Sequence, residues 1–517
     1  MVFNSYQFIF VFLPIVVVVF FGIGRTYRAW ALRWLIAASL FFYAWWRPLN
    51  VLIIAPSVLI NFMLARLLQR LCKQQSRGTA RVVLLLGVAF NVAFLGYFKY
   101  SNFLVGVVND AFGTQMVLAR IILPLGISFI TFQKIAFLID VHAGRVESFT
   151  LQDYCLFVLF FPQLIAGPIV HYREMMPQFH DLTCRFDKDN VSVGLTLFAF
   201  GLFKKVFLAD NIALFVTPIY ERASSGTSIA LVSAWIGAIG FTLQIYFDFS
   251  GYTDMALGIA RLFGVRLPPN FNSPLRASSI IDFWLRWHMT LTRFLTAYIY
   301  NPLTLWLSRR RAAKNRTGFV APNKSVWAFV ELLMFPTLLT MLVSGIWHGA
   351  GYTFIVWGIL HGLFLVVNHA WRILVPKLWR DRPRNARFME GGGFLITFAC
   401  VAASMVIFRS PNLKTAADLL RGMVGLHGIG LNGSGLKVSA LWIAASAFIA
   451  FVVPNTLQIT SRYEPALGWK PSSLDGATAT NRIPWVPSLA WAVAVSIIAT
   501  ISICYLGGQS EFLYWQF

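Results

Sequence analysis

Residues 327–371 read WAFVELLMFPTLLTMLVSGIWHGAGYTFIVWGILHGLFLVVNHAW, 45 residues with one carboxylate, Glu331, and neither lysine nor arginine. Each half, 327–346 and 350–371, matches the roughly 20 apolar residues that an α-helix needs to cross a hydrocarbon core about 30 Å thick. Neither half alternates with period two, so a helical reading stands over a strand reading. Basic clusters flank the stretch. Arg309, Arg310, Arg311, Lys314, Arg316 and Lys324 precede it, and Arg372, Lys377, Arg380, Arg382, Arg384 and Arg387 follow it. Lysine and arginine collect on the cytoplasmic side of membrane proteins. Two spans between two cytoplasmic flanks make a hairpin, and its turn, SGIWHGAGYTF (344–354), faces away from the cytoplasm.

The same pattern runs outward through all 517 residues. Hydrophobic side chains make up 58% of the chain and charged ones 12%, about half the roughly 25% of an average globular protein. So few charges cannot clothe a water-soluble surface of this size. Apolar blocks fall at 6–24, 34–46, 49–69, 82–98, 101–109, 119–139, 154–170 and 191–209, then at 228–247, 252–264, 280–300, 327–346, 350–371, 392–408, 437–454 and 485–506. Several are too short to span alone, which predicts an all-α polytopic integral membrane protein of roughly 10–13 helices, some re-entrant.

A third basic cluster, Arg70, Lys73, Arg77 and Arg81, is also expected on the cytoplasmic side. The excess of 43 Lys+Arg over 20 Asp+Glu therefore reads as loops meeting anionic lipid rather than nucleic acid. Cys72, Cys155, Cys184, Cys400 and Cys504 show no paired spacing, and predict neither a disulfide framework nor a metal site. The N-terminal MVFNSYQFIFVFLPIVVVVFFGIGR lacks a basic leader and a small-residue cleavage site, so it reads as a retained span. The stretch 468–484, GWKPSSLDGATATNRIP, reads as a loop.

Residues 240–300 break the apolar rule. Gln244, Asp248, Asp254, Arg261, Asp282, Arg286, His288 and Arg293 stand among Phe, Tyr and Trp. Ionisable groups at membrane depth are costly unless paired or wetted, and this density predicts a hydrated, protein-lined cavity. His348, flanked by Gly345, Gly349 and Gly351, has two readings: a general base, or a packing residue hydrogen-bonded to a carbonyl. His288, beside Trp284, Arg286 and Trp287, is either an assisting polar group or a belt residue bonded to backbone. His361 reads as structural. There is no zinc spacing, Walker loop, dinucleotide fingerprint or GxSxG elbow. Histidines without a serine or cysteine nucleophile favour direct acyl transfer by a general base over a covalent hydrolase triad.

Longer segments carry a resemblance. LPLGISFITFQKIAFLIDV (123–141), FFPQLIAGPIVHYREM (160–175), GLFKKVFLADNIA (201–213) and QIYFDFSGYTDMALGIARLFG (244–264) resemble the membrane-bound O-acyltransferase (MBOAT) family. So do FWLRWHMTLTRFL (283–295), SGIWHGAGYTFIVWGILHG (344–362), VIFRSP (406–411) and FLYWQF (512–517). The resemblance is to the branch of the bacterial alginate O-acetyltransferase membrane subunit, and it runs nearly end to end. Leu285, Thr296-Ala297 and SRRRAAKNRTG (308–318) depart from that branch, which reads FWRRWH, FLRDY and a Gly-Gly-Asn-Arg loop.

The resemblance implies a ring of helices around a central tunnel, within one membrane-embedded domain over 1–517. Its catalytic core would cover 120–365, and C-terminal helices 390–517. It implies His348 as the catalytic residue and His288 as its assistant. It implies no tightly bound cofactor, with acetyl-CoA as acyl donor. It further implies an inner-membrane location, an extracytoplasmic SGNH-type acetyl-accepting partner protein, and a polysaccharide as indirect acceptor. D-alanyl transfer toward teichoic acid and a non-catalytic polysaccharide transporter are the alternatives.

Overall fold

The computed structural model describes residues 1–119, 121–315, 325–375, 383–430, 436–470, 484–507 and 513. Arg316, Lys324, Lys377, Arg380 and Arg382 of the basic clusters lie outside the described residues, as do 471–483 of the expected loop and all of FLYWQF except Leu513. The described chain is helical and has no strand. Seven helices among the described residues are long and apolar enough to cross a membrane: Leu49–Lys73, Arg77–Phe112, Lys188–Ser224, Leu231–Leu262, Val326–His348, Tyr352–Leu374 and Met389–Arg409. Three shorter apolar helices, Phe8–Gly24, Leu436–Val452 and Leu489–Cys504, join them. This is the polytopic all-α architecture that the sequence predicts.

Several blocks fuse or break relative to their apolar limits. Blocks 82–98 and 101–109 form one helix, Arg77–Phe112; Ser101 Oγ donates back to the Tyr97 carbonyl at 2.8 Å, so the polar residue is satisfied inside the helix. Blocks 228–247 and 252–264 likewise fuse into Leu231–Leu262. Block 154–170 stops early, at Leu159, where Phe160 leaves helical geometry ahead of Pro162.

Contacts divide the chain into two units. The first comprises Met1–Phe207, Phe249–Pro269 and Thr456–Gln516. Within it, glycines let helices touch. A Cβ at Gly258 would land on the Gly194 carbonyl oxygen, and one at Gly201 on that of Gly251, so backbones cross at contact distance there. Small residues serve this purpose in membranes, where burial against lipid gives helices little reason to associate. Beside that crossing, Lys204 Nζ pairs with Asp254 Oδ2 at 2.6 Å. Arg261 donates to the carbonyls of Tyr463 and Glu464. Elsewhere in the unit, Asn61 and Asn91 exchange amide hydrogen bonds, and buried Lys134 donates to Ser57 Oγ at 2.6 Å.

The second unit comprises Leu208–Asp248 and Asn270–Asn455. The expected hairpin is here: helix Val326–His348, an extended Gly349–Gly351 turn, and helix Tyr352–Leu374. A Cβ at Gly345 would meet the Phe354 carbonyl oxygen, and one at Gly358 that of Met341, so these helices also pack backbone to backbone. Arg409 lies over the rings of Tyr220 and Phe241 at 5.6 and 5.8 Å. Block 280–300 is broken: helix Ile280–Arg286 ends, and a second begins at Met289.

Part of the density of ionisable groups in 240–300 is met by pairing, while Gln244 Oε1, Asp248 Oδ1 and Arg293 Nε are buried polar atoms outside those pairs. Asp254 is held by Lys204, Arg261 by backbone carbonyls, and Asp282 by Arg286 at 2.8 Å. Helix Leu231–Leu262 accommodates such residues because 72% of its apolar window is buried within the protein, against 17% for Arg77–Phe112. The glycine crossing is testable. Gly258→Val is expected to destabilise the detergent-purified protein by about 1–3 kcal/mol through overpacking. Gly96→Val, where an added Cβ meets nothing within 4 Å, is the control in the same thermal-unfolding assay and is expected to melt near wild type.

Candidate active site

His348 closes its helix. The preceding turns carry Thr340, Met341, Ser344 and Gly345 on the buried side, and Gly349 then turns extended, at φ −161°. There is no space for a side chain there: a Cβ at Gly349 would run into the Phe354 ring. The imidazole is 5% exposed and boxed by rings, with centroids of Trp347 at 5.0 Å, Trp357 at 5.1 Å and Phe408 at 5.5 Å. Another neighbour among the described residues is His288, 6.4 Å away ring to ring. The two histidines singled out in the sequence, 60 positions apart, thus face one another within one unit.

His288 reaches this place through an unusual backbone. Its φ of +43° and ψ of +50° are left-handed, a region that costs a non-glycine residue about 1 kcal/mol or more and persists only when surroundings enforce it. The enforcing element is the loop PPNFNSP (268–274). Asn272 N donates to the Arg286 carbonyl at 3.0 Å, and Met289 N donates to the Asn270 carbonyl at 2.9 Å. Those two bonds bracket the break. Arg286 adds a bond to the Asn272 carbonyl at 3.4 Å while its Nε pairs with Asp282, and Asp282 is itself in the first turn of a helix capped by Ser279. Asn455 Nδ2 donates to Asn272 Oδ1 and Ser273 Oγ, both at 2.9 Å.

Asn270 Oδ1 approaches His288 Nδ1 at 3.0 Å and receives the Thr290 hydroxyl at 2.8 Å. His288 is fully buried in the break between two short helices, outside the seven long spans.

His361 is nearer to this pair than its spacing suggested. Its ring packs on Trp357 at 4.7 Å and Trp284 at 5.4 Å, and Trp357 is the neighbour it shares with His348. Its Nε2 meets Ser404 Oγ at 2.8 Å, on helix Met389–Arg409. That bond ties the hairpin to a third helix, which agrees with the structural reading. Sequence reasoning had passed over Asn270, Trp357, Ser404 and Phe408. Asn270 carried a legible signal: an asparagine next to a Pro-Pro step, between apolar helices, is a turn residue with polar groups to satisfy. Trp357 and Phe408 fall inside the motifs 344–362 and 406–411, but nothing in those motifs shows that their rings meet His348, because a single aromatic in an apolar helix looks like any other core residue.

A sequence profile of the membrane-bound O-acyltransferase family matches residues 143–321, which include Asn270 and His288. Over 557 aligned residues the chain is 36% identical to a peptidoglycan O-acetyltransferase of Helicobacter pylori (strain ATCC 700392 / 26695), covering 100% of this chain and 98% of that protein. The chain belongs to the membrane-bound O-acyltransferase family. The resemblance drawn from the motifs is thereby established, and with it an acyltransferase rather than a glycan conduit. The membrane-bound O-acyltransferase is 37% identical over 434 residues to a probable alginate O-acetylase of Pseudomonas aeruginosa, across 82% of this chain and 75% of that one. A teichoic acid D-alanyltransferase of Streptococcus thermophilus is more distant, at 29% over 306 residues and 57% of this chain.

The glycine turn gives a test of the site geometry. Gly349→Val is expected to push His348 off the position that Trp347, Trp357, Phe408 and His288 define and to lower acyl transfer by about 10²-fold, the usual cost of an ångström-scale misplacement. Gly351→Ala, whose Cβ meets its nearest neighbour, Phe354, at an ordinary 3.5 Å, is expected to transfer acyl groups near the wild-type rate. Equal losses in both variants, measured by acyl transfer in membranes, would contradict this account.

Proposed function

We propose that this acyltransferase moves acetyl groups from cytoplasmic acetyl-CoA to O-acetylate an exported or cell-surface polysaccharide, working in the inner membrane. The observation that carries the reading is the facing pair His288 and His348, buried and ring to ring at 6.4 Å, in a chain aligned end to end with a peptidoglycan O-acetyltransferase. The alginate O-acetylase likeness points to the same reaction class. The three basic clusters support cytoplasmic loops, with the His348 turn directed away from them.

In the reaction, the His348 imidazole takes the proton of an acceptor hydroxyl as its oxygen attacks the acetyl carbonyl. The carbon–sulfur bond of the thioester then breaks, and the departing thiolate receives the proton. His288 assists across the pair, by orienting the reacting groups or by sharing the proton in transit. No cofactor is needed for this balance.

The acceptor at His348 is best read as a small presented hydroxyl, not a sugar polymer. The imidazole is 5% exposed and packed among Trp347, Trp357, Phe408 and His288, surroundings that suit a small acyl group better than a chain of sugars. This supports an extracytoplasmic SGNH-type partner that takes the acetyl group and delivers it to the polysaccharide.

Two measurements test the reading. His348→Ala is expected to lower acetyl transfer by about 10²–10⁴-fold, the range for loss of a general base, with insertion and folding retained. His288→Ala is expected to impair transfer less severely, and His361→Ala least. Near-native transfer in His348→Ala would sink the assignment. In liposomes holding the purified protein, acetyl-CoA turnover is expected to rise only when an SGNH-type partner is added. Efficient acetylation of a glycan without any second protein would refute the relay.

A further inference from the structure

We propose that Asn270 is a positioning residue: it holds His288 in the tautomer protonated on Nδ1, and so makes Nε2 the nitrogen that takes up or returns a proton. The proposal rests on the reading of His288 as the assistant of His348.

The argument begins with the amide. The oxygen and nitrogen of an asparagine side chain are nearly equal in size, and their hydrogen-bond partners decide which way the amide turns. Here one partner decides. The backbone N of Thr290 approaches Asn270 Oδ1 at 3.3 Å, and a backbone N–H can only donate. The atom it meets must therefore be the amide oxygen, and the Thr290 hydroxyl donates to the same atom at 2.8 Å.

The ring follows from that. An amide oxygen has no hydrogen to give, so the 3.0 Å approach of His288 Nδ1 is a hydrogen bond only if Nδ1 carries the proton. A neutral imidazole has one ring N–H, which leaves the lone pair on Nε2. The other tautomer would set two lone pairs against each other in a fully buried site.

Asn270 is well placed to impose this choice. Its backbone carbonyl accepts from Met289 N at 2.9 Å, on the residue directly after His288. The main-chain bond thus fixes where the ring is carried, while the side-chain bond fixes how it turns and where its proton lies.

His361, the other fully buried histidine of this unit, meets a hydroxyl instead of an amide oxygen. Ser404 Oγ donates its only proton to the Val401 carbonyl at 2.7 Å. Toward His361 it then accepts when Nε2 carries the proton. A serine hydroxyl can serve either tautomer of its partner, whereas the amide oxygen that meets His288 serves only one.

The test reads the tautomer directly. Full-length protein labelled with ¹³C and ¹⁵N at histidine, in lipid bilayers, reports the protonated nitrogen through its ring shifts in solid-state NMR. The His288 signal, among eight histidines, is the one lost in His288→Gln. Wild type is expected to show an Nδ1-protonated ring. Asn270→Leu, similar in shape but without an acceptor, is expected to lose that signature and to lower kcat by about 10²-fold, with KM for acetyl-CoA little changed. Asn270→Asp, which keeps an acceptor oxygen, is expected to retain the proton on Nδ1.

An Nε2-protonated His288 in wild type overturns the proposal, and this readout stands even if Asn270→Leu fails to fold. A folded Asn270→Leu with the native signature and native rate overturns it equally. Native turnover in His288→Ala instead overturns the role of His288 on which the proposal rests. That failure is distinguishable, because the wild-type ring signature is measured without turnover.

Discussion

Two backbone hydrogen bonds, Met289 to Asn270 and Asn272 to Arg286, hold open a break in an apolar stretch that would otherwise continue as helix. A left-handed residue in such a stretch costs conformational energy and interrupts the i→i−4 ladder, and lipid offers no water to the freed groups. The PPNFNSP loop supplies those groups with partners. It is in turn fixed by Asn455 and by the Arg286–Asp282 pair. With the break in place, His288 turns its ring toward His348; in a continuous helix its side chain would lie on whichever face the 3.6-residue period assigned.

The opposing half of the site depends on closeness. His348 stands at the end of one helix of a hairpin, and its position is set by how near the second helix comes. Gly345 and Gly358 bring the backbones to contact, so Trp357 meets the His348 ring edge-on at 5.1 Å, and Phe408 closes another side at 5.5 Å. Aromatic rings favour such edge arrangements, and they exclude water from the imidazole. The position of the candidate catalytic histidine and the packing of the hairpin therefore depend on the same residues, and a methyl group at either glycine acts on both.

Polar groups elsewhere obey the same solvent constraint. Lys204 with Asp254, Asn61 with Asn91, and Arg409 over Tyr220 and Phe241 are internal solutions to the absence of water at membrane depth. Each also joins segments far apart in sequence. Breaking one partner of a buried pair leaves the other uncompensated, so these contacts specify which helices lie side by side.

Much of this was legible in the residues alone. Runs such as 327–371 determine spanning helices, because their length and lack of charge leave no alternative in water or in lipid. The SGIWHGAGYTF turn and its flanking basic clusters determine a hairpin with His348 at its tip, and the motifs determine the family. The sequence also marked 240–300 as too polar for lipid, although it did not reveal how those charges are met. What only the tertiary structure decided is which residues meet. Lys204 and Asp254 lie 50 positions apart, Asn270 and His288 18, and His361 and Ser404 43. Hydropathy scores each residue against solvent and helix periodicity scores it against its own turn. Neither contains the pairing energy between distant segments, which exists only once the helices have packed.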